Sequence, residues 1–214
     1  TGNANRSLFR LADVNGDGLS DFITGAPELS LDLTGQGGIF YVLGKRDERI
    51  SGSRSLYPNQ QLLHPCPDAQ FGGSIANAGD VNGDGYHDLL VGAIKYTCDD
   101  AEGGAAYLFY GGPDGFSDEP HWGVHCDQPF AKLGVSVSTA GDINNDGYAD
   151  LMIAGMEYDP GGLVVVYYGG PTGPSTDAPV AGDPAVSIHP DWFMTGEVGQ
   201  SNLGSGLASA GDVN

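Results

Sequence analysis

Asp80, Asn82, Asp84 and Asp88 stand at positions one, three, five and nine of the stretch DVNGDGYHD. The same oxygen-bearing types recur at Asp13, Asn15, Asp17 and Asp21, and again at Asp142, Asn144, Asp146 and Asp150. Oxygens spaced this closely suit a hard cation, and calcium takes about six to eight of them. The backbone carbonyl at position seven, from Leu19, Tyr86 or Tyr148, is the expected fifth ligand of each set. Position six is Gly18, Gly85 or Gly147, where a sharp bend asks for positive φ, and position four is Gly16, Gly83 or Asn145, which tolerate the left-handed region. An EF-hand would need a bidentate Glu at about position twelve, and these loops carry Leu90 or Met152 near there. One such loop alone reads equally well as an Asx-rich turn without metal. Three copies favour Ca2+, because clustered carboxylates repel one another unless a cation sits among them. Three divalent ions would take the formal charge from −20 to −14 (−20 + 6). Asp212 and Asn214 open a fourth, incomplete loop of the same type.

The loops recur with a period, their first aspartates being 67, 62 and 70 residues apart. The segments FGGSIANA, LGVSVSTA and LGSGLASA enter three of them as one short strand each. DFITGAP, DLLVGAI and DLMIAGM leave them, followed by GGIFYVLG, GGAAYLFYGG and GGLVVVYYGG, which supply two more strands rich in branched and aromatic residues. The weaker segments QLLHP, HWGVH and VSIHP, with His64, His125 and His189 at similar places, are expected to form a fourth, outer strand. Helical periodicity and an apolar run long enough to span a membrane are both missing from the chain. The reading is all-β: a β-propeller of four-stranded antiparallel blades, with about three blades present and the start of a fourth. The units are drawn as 1–60, 61–126, 127–195 and 196–214. A β-solenoid would have shorter coils, and a dockerin-like calcium module would need helices after each loop.

Asp and Glu outnumber Lys and Arg by 28 to 8 in 214 residues, which argues against nucleic acid as a partner. Six of the cations lie in the first 54 residues, leaving the remainder almost purely acidic. A hydrophobic share of 40% separates the Gly-rich chain from low-complexity sequence. A nucleophile elbow, a Walker loop, a zinc-protease helix and a Cys-x-x-Cys zinc pattern are all lacking, so the chain reads as non-enzymatic. The repeated histidines read as structural.

The combination FGGS, AGDVNGDGYHDLLVGA and GGAAYLFYGG resembles the FG-GAP repeat of integrin alpha subunits, found also in secreted bacterial proteins and some fungal lectins, and points to a secreted bacterial member. The first unit departs from it with SLFRLA, the second ends GAI and the third AGM. The resemblance implies a ring of roughly seven blades with calcium between the first and second strands of a blade. Three units cannot close that ring, so the expectation is a fragment, or missing blades supplied by the same chain or another copy. It further implies an extracellular or cell-surface adhesion, interaction or scaffold module. Its protein or glycan ligand would contact the face opposite the calcium loops, through segments 28–37, 95–103 and 157–161 with Tyr96, Asp99, Asp100, Glu102, Tyr158 and Asp159. The alternative is a calcium-dependent lectin, with Trp122 and Trp192 as candidate platforms, or the non-catalytic propeller domain of a larger secreted enzyme acting on polysaccharides or lipids. In this layout Cys66 and Cys98 meet within one blade as a disulfide, with Cys98 and Cys126 as the alternative pair.

Overall fold

The computed structural model describes residues 8–10, 13–44, 60–64, 66–96, 103–174, 189–197 and 202–211. Twelve strands form three four-stranded sheets among these residues. The first sheet holds β1 (Leu8–Arg10), β2 (Phe22–Gly25), β3 (Gly38–Val42) and β4 (Gln60–Leu63). The second holds β5 (Phe71–Gly79), β6 (Asp88–Ala93), β7 (Ala105–Phe109) and β8 (Trp122–His125), and the third β9 (Leu133–Gly141), β10 (Asp150–Gly155), β11 (Leu163–Tyr167) and β12 (Trp192–Thr195). Each is an antiparallel meander in chain order, which is the propeller blade anticipated from the repeat. No helix occurs among the described residues.

Successive side chains of a strand point to opposite faces, so the middle sheet needs cover on both sides. Leu89, Val91, Tyr107 and Phe109 pack with Ile23, Ile39 and Tyr41 of the first sheet. Their alternates Leu90, Ala106, Leu108 and Trp122 pack with Leu151, Ile153, Val165 and Tyr167 of the third. Every residue of β6 and β7 is therefore buried, and apart from Asp88 at the start of β6 both strands are continuous apolar runs.

Glycine permits the close approach between sheets. The Gly25 Cα lies 3.4 Å from where a Cβ on Gly72 would sit, and the Gly92 Cα 3.1 Å from a Cβ on Gly134. These are the glycines of the GA and Phe-Gly or Leu-Gly dipeptides, so the two halves of the repeat are the two sides of one joint. Parallel bridges Gly37 to Phe71, Gly104 to Leu133 and Gly162 to Leu203 stitch each third strand to the next unit. Leu133 N–H donates to Gly103 O at 2.8 Å, and Leu203 N–H to Gly161 O at 3.1 Å.

Several expectations need correction. The described outer strand of the third sheet is Trp192–Thr195; of VSIHP, residues 186–188 lie outside the described residues, and His189 precedes the strand whereas His125 ends one and His64 follows one. Register explains the shift, because Leu108 pairs with Trp122 and Val166 with Trp192, making the tryptophans the equivalent residues. Within the stretch LGSGLASA, residues 203–210, no strand forms; there is only the bridge at Leu203. In the other units this segment ladders with the second strand of its own sheet, and residues 202–211 have no such partner among the described residues. The break drawn at residue 60 cuts β4, which ends at Leu63.

Candidate metal centres at the blade corners

Each acidic loop joins the first strand of a sheet to the second, at the same corner of every blade. The position-nine carboxylates are buried: Asp21 is 2% exposed, Asp88 and Asp150 0%. Asp88 Oδ2 accepts from Val81 N–H and Oδ1 from Gly111 N–H, both at 2.9 Å. Asp21 does the same with Val14 (2.7 Å) and Gly44 (2.8 Å), and Asp150 with Ile143 (2.8 Å) and Gly169 (2.9 Å). This residue thus ties the start of the loop to the end of the third strand. Gly44, Gly111 and Gly169 were not singled out as anchors from sequence, although the recurring Gly after each third strand was the available signal.

Position one closes the turn. Asp80 Oδ1 accepts from Gly83 N–H at 2.7 Å and Asp84 N–H at 3.1 Å, and Oδ2 from Gly85 N–H at 2.9 Å. Asp13 and Asp142 accept likewise from the amides of Asp17 and Gly18 and of Asp146 and Gly147. At position three, Asn15, Asn82 and Asn144 accept through Oδ1 from the position-five amide and donate through Nδ2 to the position-five carboxylate. Asp17, Asp84 and Asp146 in turn accept from the amides of Leu19, Tyr86 and Tyr148. The required φ values are present, at +77° for Gly83, +90° for Gly85 and +59° for Asn145. Asp212 and Asn214 of the fourth loop lie outside the described residues.

Three carboxylates in one tight loop are electrostatically unbalanced. Burial pushes the Asp88 carboxyl up to about 7, and the charges of Asp84 and Asp80 push the same way, against two backbone N–H donors. Asp21 and Asp150 are raised for the same reasons. The ion pair of Lys132 with Glu157 and the contact of His125 Nε2 with Asp127 at 3.6 Å lie elsewhere. Among the described residues no three His, Cys, Asp or Glu side chains converge as a ready-made metal cluster. Each loop nevertheless offers only oxygens, carries excess negative charge and shows no side-chain counterion among the described residues, and this donor set fits a divalent hard cation.

Other candidates are placed differently. Tyr96 is 7% exposed and packs on His64, Tyr107 and His125, so it is a core residue rather than a contact residue of its loop. Tyr158 is half-buried against the core between the second and third sheets. Trp122 is 5% exposed, edge-on to Tyr167 with ring centroids 4.8 Å apart, which removes it as a glycan platform; its equivalent Trp192 is exposed. His64 and His125 are buried and His189 exposed. Cys126 is a buried free thiol, Cys66 is buried, and Cys98, Asp99, Asp100 and Glu102 lie outside the described residues.

Stacked four-stranded antiparallel sheets, with one acidic oxygen-donor loop at the same corner of each, define a segment of a β-propeller built from repeats. The FG-GAP repeat matches residues 9–43 and 71–109. Integrin alpha-3 of Cricetulus griseus is 32% identical over 157 residues, covering 70% of this chain and 14% of that protein. Integrin alpha-5 of Xenopus laevis is 30% identical over 192 residues (85% and 16%), and integrin alpha-7 of Homo sapiens 31% over 199 residues (90% and 14%). Together these similarities support the FG-GAP, integrin-alpha propeller family for this chain. The chain spans about one seventh of the length of these relatives, 14% to 16%. The third unit lies outside the residues matched to the repeat, and carries Ala154 where the first two have Gly25 and Gly92.

Proposed function

We propose that the chain is part of an extracellular, calcium-stabilised propeller that acts as a non-catalytic adhesion or interaction module. The observation that carries this reading is the polarity of the blades. The acidic loops occupy one end of each sheet, while exposed Leu31, Leu33 and Phe130 stand at the other, in the connections after the second and fourth strands. Phe130 is 62% exposed at φ +65°, a conformation costing about 1–3 kcal/mol for such a residue, which is consistent with an aromatic held out for a partner. No helix among the described residues is long and apolar enough to cross a membrane.

Asp13, Asn15, Asp17 and Asp21, with their counterparts in the other two loops and the carbonyls of Leu19, Tyr86 and Tyr148, would hold Ca2+. The ion would offset carboxylate repulsion and stiffen the corner. The chain's own contribution is to present these oxygens on a turn preset by backbone hydrogen bonds and anchored through position nine to the third strand. The remaining blades come from the same chain or another copy, and a Cys66 to Cys98 disulfide is the pairing favoured by the free Cys126.

Calcium at about a hundredfold over Kd stabilises by ~2.7 kcal/mol per site, so EGTA is expected to lower Tm and added calcium to restore it. An unchanged Tm would sink the metal assignment. Cell adhesion to a surface coated with the protein, lost with EGTA, tests the module. Calcium-dependent binding on a glycan array, with no calcium-dependent adhesion, would favour the lectin alternative instead.

A further inference from the structure

Successive acidic loops touch. The ring of Tyr148, at position seven of the third loop, lies over Gly83, at position four of the second: a Cβ there would come 2.5 Å from Tyr148 Cε1. Tyr86 lies over Gly16 of the first loop in the same relation, with Cε1 at 3.4 Å. Backbone bonds run beside the ring contact. Ala149 N–H donates to Asp80 O at 2.9 Å, and Gly170 N–H to Val81 O at 3.0 Å. Gly169, next to Gly170, donates to the Asp150 carboxylate. The residues that would be ordered by a cation in the third loop are therefore those that hold positions one, two and four of the second.

Resting on the calcium reading above, we infer that cation binding in one blade raises the affinity of the loop in the preceding blade, with Tyr148 and Tyr86 as the positioning residues that transmit the effect. A cation drawing in the residue-148 carbonyl fixes the backbone that carries the ring and the Ala149 N–H. Ordering of Asp80 and Gly83 is then partly complete before their own ion arrives, and linkage makes the benefit mutual. Glycine at position four is the recess that admits the ring.

The test is a calcium titration followed at the Gly85 amide resonance, which reports the second loop alone. With the first loop silenced by Asp13→Ala and Asp17→Ala, silencing the third by Asp142→Ala and Asp146→Ala is expected to weaken the second loop by ~5-fold or more. In a Tyr148→Ala background, which leaves the Ala149 and Gly170 backbone bonds in place, this ratio falls toward one, while Tyr148→Phe, which keeps the ring, retains it. Tyr86→Ala should uncouple the first loop from the second in the same way, and serves if Tyr148→Ala does not fold. An affinity of the second loop that stays within about twofold, or rises, when the third is silenced overturns the coupling while calcium binding stands. A chain that binds no calcium overturns the calcium reading itself, and the coupling with it.

Discussion

His64 turns burial into a pH dependence that can be measured. Its ring lies among Phe71, Tyr96 and Tyr107, with centroids 5.5, 5.7 and 5.1 Å away, and Nδ1 accepts the Cys66 N–H at 3.1 Å. That bond fixes the neutral tautomer with hydrogen on Nε2. Burial lowers the pKa from 6.5 to about 4. Between those values the unfolded chain binds the proton and the folded one does not. Stability from this residue is therefore complete above about pH 6.5, falls as pH drops toward about 4, and is constant below. The full shift of about 2.5 pH units corresponds to ~3 kcal/mol, of which about 2 kcal/mol is lost between pH 7 and pH 5. Urea unfolding at both pH values, in saturating calcium so that the acidic loops stay fixed, should give wild type minus His64→Leu a pH-dependent difference of that size. If the two proteins lose stability in parallel, His64 is not held neutral and the reasoning fails.

Gly92→Ala should cost at least ~3 kcal/mol in the same assay, since the new Cβ meets the Gly134 carbonyl and Ser74 Oγ. Gly155→Ala, whose Cβ would find its nearest neighbour at 3.2 Å, should cost less than ~1 kcal/mol; similar losses at the two positions would refute the joint between sheets. Cys66→Ser should remove about 4 kcal/mol if Cys66 and Cys98 close a loop of about 33 residues, and thiol counting on the denatured, unreduced wild type should find one free thiol. Three would exclude the bond.

The spacing of Asp and Asn, the glycines at positions four and six, and the β-branched runs after position nine are local features. Local geometry was enough to place the three loops at strand corners and to anticipate four-stranded blades. Burial was not local, because a blade hides a residue only where another blade covers it. Val14 and Val81 are buried while Ile143 at the same loop position is exposed, and Trp122 is buried while Trp192 is not. The same dependence makes Tyr96 a core residue, turns two separated glycine dipeptides into one joint, and sets the ring of Tyr148 over a loop that begins 68 residues earlier, at Asp80. The sequence by itself determined what each blade is made of. Only the stacking of one sheet on the next decided which of those side chains face water, since that depends on a neighbour some sixty to seventy residues away in the chain.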